Sequence, residues 1–503
     1  MFKADKFIDD EYHLFSCEAD GSGLVDLCGP LVSGGYVYSF HISPDGNYVA
    51  FTADRDTNNL SEMYVVPIAG GSVVKVSGGN IAGVQFAWSS DSTQIVHGGT
   101  VNPSSNYELF VSNRDGSGTV RVSGTMTAGG NLGIDFAWAP DDSRIAYVAD
   151  QDTDGVNELY TSLPDGTGNV KVCGALTSGR EVRTETLEWS PDSSRLSYVA
   201  DQDADDVFEL YTVAPDGTQN VKVSGTLTGG GDVLYPTSAF GFLDRYWAPD
   251  GSRIAYVADQ DTDDVFELYS SLPGGGGNIK LSGSLVAGGD VSPDYSWSPD
   301  STRIAFRADK DTDEMFELYA VVPTGGATYK LSGTLVAGGT VQASFGQRSF
   351  AWAPDSSRVA YSATQRQLGR QEGFTSLKNG TANVLVTGDN PPFVSVDSNP
   401  RWSPDSSRIL FGGYRSAPWS LYSGLADGSG IASISGAMAV GGGWDPNVRY
   451  QWSPDSSCAF YGARQDSADH IELYCTLADG QGNIKISGTL PTGGHVGYEL
   501  EVR

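Results

Sequence analysis

The sequence predicts an all-β chain assembled from one repeated four-stranded unit. Three observations predict it. A short block, an aromatic followed by Ser/Ala-Pro-Asp, recurs down the chain at near-constant spacing. Between recurrences, alternating apolar and polar runs are bounded by turn residues. The composition, with 64 glycines and 11% aromatic residues among 503, suits many short strands joined by tight turns. Four-stranded units at this period are the signature of a β-propeller, whose sheets bury their faces against neighbouring sheets.

The block appears at Trp138, Trp189, Trp247, Trp297, Trp352, Trp402 and Trp452. Trp88-Ser89-Ser90-Asp91 lacks the proline, and Ile42-Ser43-Pro44-Asp45 lacks the tryptophan. These nine copies stand mostly 46 to 51 residues apart, with two longer gaps of 58 and 55. Strand one ends at the tryptophan. Pro and Asp then set a turn, because proline fixes φ at the second turn position and Asp favours the third. In one copy, strand two is Arg144 to Ala149 and strand three Glu158 to Leu163. Pro164-Asp165-Gly166 turns into strand four, Asn169 to Val172. A glycine-rich connector such as Thr127-Ala128-Gly129-Gly130 separates copies. The recurring tryptophan suits the packing between blades better than a carbohydrate platform, since eight copies share one repeat position.

Both ends carry partial repeats. Residues 1–28 read as strands two to four, and residues 489–503 as strand one, of one shared blade. The expectation is a single domain over 1–503, a ring of about ten blades with nine complete repeats and one blade joining the termini. Ten exceeds the common four to eight, so two smaller propellers, or a segment of a longer array, stay open here.

The pattern Trp-Ser-Pro-Asp-Ser-Ser-Arg, followed by Glu-Leu-Tyr and Asp-Gly, resembles the WD40-like repeat of TolB-type propellers. The resemblance implies the fold and a bacterial setting in the periplasm or outside the cell. It does not imply the Tol role, because nothing here matches the extra N-terminal α/β domain of TolB.

The formal net charge is −31. Phosphate backbones and anionic membranes are disfavoured, so no nucleic-acid partner is expected; cations and basic protein surfaces are favoured. No run of apolar residues is long enough for a membrane span. No leader is visible at the start of the chain, so a cytoplasmic location also stays open.

The loop from strand two to strand three is the candidate site. It places Asp150, Asp152, Asp154 and Glu158 in alternation. The frame recurs as Asp201, Asp203, Asp205 and Glu209; as Asp259, Asp261, Asp263 and Glu267; and as Asp309, Asp311, Asp313 and Glu317. A weaker copy is Asp54, Asp56, Asn58 and Glu62. Ca²⁺ takes six to eight oxygens at about 2.3–2.6 Å, which alternate carboxylates in a tight loop can supply. The loops resemble those of integrin α-subunit propellers, which implies Ca²⁺ as a structural cofactor. Solvated acidic turns are the plain alternative. Only Asp154 is followed by the glycine that such loops use for a sharp turn (Gly155).

Strand topology places these loops and the connectors on one rim. The two longest connectors add Phe240, Phe242, Arg245, Phe345 and Arg348, residue types common in binding hot spots. They read either as a protein-binding surface or as blade packing. The five cysteines match no zinc signature. Cys458 and Cys475 fall on consecutive strands, where a disulfide is one expectation and buried, Ser-like positions the other. No nucleophile elbow, metalloprotease helix or phosphate loop is present. The chain therefore reads as a calcium-stabilised binding or scaffold module rather than an enzyme. A structural subunit of an extracellular assembly and a glycan-active propeller enzyme are the alternatives.

Overall fold

The computed structural model describes all residues except 9, 78–80, 82–84, 101–105, 177–178, 236–245, 343–348, 389–392, 398, 415–417, 446–449 and 492. The described residues form only β-structure, in ten antiparallel sheets. Each sheet is one blade of a β-propeller. Blade 4 is representative: Leu132–Trp138, Ile145–Ala149, Glu158–Ser162 and Val170–Lys171 pair in chain order. Strands two and three sit in register from Ile145↔Ser162 to Ala149↔Glu158 and are buried throughout, so their side chains serve both faces of the sheet.

Blade 1 joins the two ends. Val496–Leu500 supplies strand one beside Phe2–Ala4, and His13–Ser16 and Val25–Asp26 complete the sheet. The register runs Phe2↔Leu500 and Ala4↔Val496. The Met1 ammonium donates to the Glu501 carbonyl at 2.7 Å, and the Glu501 amide donates back to the Met1 carbonyl at 3.1 Å. The shared terminal blade is as the sequence predicts.

Blades 2 and 3 span 37–75 and 86–121, blades 5 and 6 span 188–222 and 254–280, and blades 7, 8 and 10 span 291–330, 350–385 and 451–485. In blade 9 the strands Arg408–Tyr414, Ser420–Leu425 and Ile431–Ser433 pair in order. Blade 6 has three strands, and single bridges Val233↔Ala258 and Trp247↔Ile254 stand in for strand one. The chain separates into two compact units: Met1–Val122 with Ser403–Leu425 and Ser429–Arg503, and Ser123–Trp402 with Ala426–Gly428.

Within the second unit the tryptophans act as clasps between consecutive blades. Trp189, Trp297, Trp352 and Trp402 are buried, and each indole N–H donates to a backbone carbonyl of the preceding blade, at Ala137, Tyr246, Ser296 and Ala351 over 2.9–3.2 Å. Within the first unit Trp88 does the same to His41 at 3.0 Å. A buried indole needs a partner for its only donor, and the neighbouring strand provides it. These rings are core, as the repeat position implies.

All five cysteines are free thiols, so the disulfide expectation gives way to the Ser-like one. Cys28 and Cys173 accept the amides of Leu14 and Leu159 where Ser77 accepts that of Met63. Cys458 and Cys475 are neighbours in blade 10, and their mutual hydrogen bond lowers the Cys458 pKa while raising that of Cys475.

Candidate functional site

The loops between strands two and three resolve into four roles, counted from the first aspartate as position 1. That aspartate is a staple. In blade 5 the Asp201 carboxylate accepts the Glu181 amide of the incoming connector at 2.6 Å and the Asp206 amide at 3.3 Å. In blade 7 Asp309 accepts the amides of Asp290 at 2.6 Å and Glu314 at 2.9 Å. Asp54, Asp150 and Asp259 repeat the arrangement on Asn59, Gly155 and Asp264. The residue at position 6 is left-handed in every copy, with φ of 62° at Asn59, 77° at Gly155, 55° at Asp206, 60° at Asp264 and 61° at Glu314. Gly155 is therefore no special case. The staple holds the same turn on residues with a Cβ, where Asp and Asn tolerate it best.

Position 2 is a clasp that the reading of alternate carboxylates passes over. The Gln151 side-chain oxygen accepts the Gly124 amide and the Tyr147 hydroxyl, both at 2.7 Å. Gln202 and Gln260 hold Gly174 and Gly225 in the same way. In blade 7 the residue is Lys310, whose ammonium donates to the Ser282 and Ser284 carbonyls at 2.8 Å.

Positions 3 and 9 do not converge with position 1. They face a lysine on strand four. Lys171 lies 3.1 Å from Asp152 and 2.9 Å from Glu158; Lys222 lies 3.1 Å from Asp203 and 2.8 Å from Glu209; Lys280 lies 2.9 Å from both Asp261 and Glu267. Lys330 pairs with Asp311 and Glu317, and Lys75 with Glu62. Asp56 pairs with Arg55 at 3.4 Å. A tyrosine hydroxyl donates to the other oxygen of each buried glutamate, as Tyr269 does to Glu267 at 2.8 Å. Burial and that carboxylate push the Tyr269 pKa far up. One signal for this network is in the sequence. A lysine follows the glutamate by 13 residues at Glu62, Glu158, Glu209, Glu267, Glu317 and Glu472.

Position 5 is exposed in blades 4 to 7. Asp154 and Asp263 lie over connector glycines: a Cβ on Gly129 would approach Asp154 to 2.7 Å, and one on Gly230 would approach Asp263 to 2.6 Å. The Gly-Gly connectors thus make room for the acidic loops.

Carboxylates do converge on the other side of the loop, through positions 1, 5 and 6. Asp259, Asp263 and Asp264 each offer an oxygen, and the three oxygens lie within 4.8 Å of one another. The connector acid Asp232 senses the same group: burial raises its pKa, and the charges of Asp259 and Asp206 add to the shift against the Phe208 amide it accepts and the nearby Arg183 charge. Asp290 is raised likewise, by burial and then by Asp309, Asp264 and Asp313. A hard cation fits this group by its oxygen chemistry, with Asp259 also held by the amides of Asp232 and Asp264. It does not fit the full set of alternate positions, because lysines already answer positions 3 and 9. Phe240, Phe242, Arg245, Phe345 and Arg348 lie outside the described residues.

No family model and no curated protein matches the chain. Its fold is similar to solved structures. Dipeptidyl peptidase 4 of Porphyromonas gingivalis is 12% identical, with 87% of this chain and 66% of that chain covered and a TM-score of 0.50. This chain thus spans about two thirds of that peptidase. Oligogalacturonate lyase of Vibrio parahaemolyticus is 14% identical, covering 70% and 93%, with a TM-score of 0.38. TolB of Acinetobacter baumannii is 14% identical, covering 69% and 77%, with a TM-score of 0.29. At these identities the likeness is one of fold alone. No helix of the described residues is long and apolar enough to cross a membrane.

Proposed function

We propose that the chain is a β-propeller binding or scaffold module, not an enzyme, whose acidic loops hold Ca²⁺ and face a cationic protein partner. The observation that carries this is the group Asp259, Asp263 and Asp264 with Asp232 beside it. Asp263 and the Asp264 side chain are exposed and do nothing evident for the blade. Three carboxylates this close repel one another unless a cation sits among them. Asp309, Asp313 and Asp290 repeat the crowding in blade 7. In this reading positions 1, 5 and 6 and the connector acid are the ligands, and Asp152, Asp203, Asp261 and Asp311 belong to the lysine network. Millimolar Ca²⁺ is found outside the cytoplasm, which favours a periplasmic or extracellular setting. A basic protein surface complements the rim that remains.

Thermal unfolding in EDTA, in millimolar CaCl₂ and in MgCl₂ tests the reading. At module-like affinity each filled site adds about 0.4–1.4 kcal/mol. A Ca²⁺-specific rise in Tm is expected. Equal curves in all three conditions would return these loops to solvated turns. For the partner, Phe240→Ala with Phe242→Ala is expected to weaken capture of a basic protein ligand, and unchanged capture would move the recognition surface elsewhere.

A further inference from the structure

Blades 2, 4, 5, 6, 7 and 10 pair a glutamate at position 9 with a lysine on strand four, blades 3 and 8 answer that glutamate with an arginine, and blade 1 carries no glutamate there at all. In blade 1 position 9 is His13, and the residue 13 further on is Asp26. Two residues later, where Ser77, Ser224, Ser332 and Ser487 stand in other blades, blade 1 has Cys28. Position 3, an aspartate in blades 2, 4, 5, 6, 7 and 10, is Phe7. Position 9, the strand-four residue opposite it and the one two beyond have therefore changed together, to His13, Asp26 and Cys28, each a residue type that ligates Zn²⁺. Blade 4 shows that the cysteine alone means little. Cys173 occupies the same place there, but its neighbours Glu158 and Lys171 remain a salt bridge.

The geometry points to a Zn²⁺ site made by His13, Asp26 and Cys28. Their ligand atoms lie within 4.8 Å of one another. His13 Nδ1 stands 3.1 Å from Asp26 Oδ2, close to the edge of about 3.3 Å in a tetrahedron whose centre is about 2.0 Å from each ligand. The Cys28 Sγ stands 3.3 Å from Asp26 Oδ1. His13 and Cys28 are buried and Asp26 is half-buried. The surroundings orient all three. The amides of Cys28 and Gly29 donate to Asp26 Oδ1 at 3.2 Å, so that Oδ2 is turned toward His13. The Leu14 amide donates to Cys28 Sγ at 3.5 Å, while burial and then the Asp26 charge push the thiol pKa well up, so the thiolate forms only with the metal bound. The Phe7 ring packs edge-on against His13, with centroids 5.0 Å apart. Binding releases the Cys28 thiol proton to solvent and needs His13 neutral with Nδ1 unprotonated. A water would take the fourth position. Nitrogen, oxygen and thiolate together select a borderline ion such as Zn²⁺ over Ca²⁺ or Mg²⁺.

The test uses the whole chain in millimolar CaCl₂, so that carboxylate sites are occupied, with Zn²⁺ titrated by competition against a chelating dye. Co²⁺ substitution then reads the thiolate-to-metal charge-transfer band and the visible bands of a tetrahedral ion. One strong site per chain is expected. Cys28→Ser installs the residue other blades carry, so the blade should fold. It should weaken Zn²⁺ by about a hundredfold or more, since even outer-sphere changes cost 10–100-fold, and should abolish the charge-transfer band. His13→Glu with Asp26→Lys restores the pair of the other blades and should also remove the site. Cys173→Ser should change nothing. A Zn²⁺ affinity indifferent to Cys28→Ser, or no charge-transfer band with Co²⁺ in the parent chain, would overturn the assignment.

Discussion

Blades 6 and 8 carry the same loop with opposite charge. Blade 6 has Asp259, Gln260, Asp261, Asp263 and Asp264; blade 8 has Thr364, Gln365, Arg366, Leu368 and Gly369 in their places. Two features survive the change. The glutamine is kept, and Gln365 donates to the Tyr361 hydroxyl at 2.9 Å. The position-9 glutamate is kept as well, now Glu372, fully buried. Its cation has moved. Strand four offers Leu385 where blade 6 has Lys280, and Arg366 at position 3 supplies two hydrogen bonds to Glu372 at 2.9 and 2.6 Å. Blade 8 therefore keeps the clasp glutamine and a neutralised buried glutamate. It does not need the carboxylates at positions 1, 5 and 6, which is why those carry the functional reading.

The sharpest way to break this comparison is to remove the cation of blade 6. Lys280→Leu leaves Glu267 buried with only Tyr269 as a partner. Losing one member of a fully buried pair costs about 3–5 kcal/mol, and the solvent access of Lys280 reduces that to about 2–3 kcal/mol. Adding Asp261→Arg copies blade 8 and should recover most of the loss. Urea unfolding of the parent, single and double variants decides it; a double variant no better than the single would mean that Arg366 does not replace the lysine. The pH dependence has a defined sign. Burial lowers the Lys280 pKa, but Glu267 and Asp261 outweigh it and hold the ammonium above its ordinary value. This contribution is complete below the unfolded lysine pKa of about 10.4 and is lost as pH rises through the folded value.

The clasp is next. Gln260→Ala strands the Gln260 partners: the Gly225 amide, still near the Tyr256 hydroxyl at 3.0 Å, and Asn278. A loss of about 1–2 kcal/mol is expected, as for buried hydrogen bonds left partly unmade. An exposed control, Lys378→Met, removes a pair with Asp300 at 2.9 Å and should cost less than about 1 kcal/mol. Equal losses in the two variants would show that the clasp contributes no more than a surface pair.

These contrasts explain what could be read in advance. The Trp-Ser-Pro-Asp block sets strand ends and a turn by local chemistry, so the blades and the shared terminal blade were legible. The loops were legible only in part. Alternation along Asp259, Asp261 and Asp263 suggests one convergent site, but a tight turn sends successive side chains in different directions. Asp261 goes to Lys280 on strand four, and Asp263 to the connector at Gly230. Those partners are distant in sequence. The glutamate–lysine spacing was visible, yet it has meaning only once strands three and four are known to be adjacent. Gln260 carries no signal in the sequence, because a polar residue between aspartates suits a solvated loop and only its burial sets it apart.

Asp263→Asn with Asp264→Asn separates structure from ligand binding in the same blade. Without Ca²⁺ the pair should leave stability within about 0.5 kcal/mol of the parent, because surface changes away from named contacts do little. With Ca²⁺ it should forfeit the increment of one site, about 0.4–1.4 kcal/mol. A Ca²⁺ response identical to the parent's would exclude these two carboxylates as ligands.

The smallest expected effect is the most specific. Asp232→Asn keeps the side-chain oxygen that accepts the Phe208 amide at 2.6 Å and removes only the charge. Burial first, then Asp259 and Asp206, raise the Asp232 pKa in the folded protein. The native state thus holds this proton to higher pH than the unfolded chain does. Stability from the group is greatest at low pH and falls as pH rises from the unfolded carboxyl range, near 3.9, through the folded value. At neutral pH in EDTA the substitution should therefore stabilise the protein, by a few tenths to about 1 kcal/mol for a half-buried group. At low pH, where Asp232 is already protonated, the gain should vanish. In Ca²⁺ its sign should reverse, because the same charge that strains the empty loop would then face a cation. A stabilisation that persists unchanged in saturating Ca²⁺ would place Asp232 outside the cation site and reduce the loop to unrelieved repulsion.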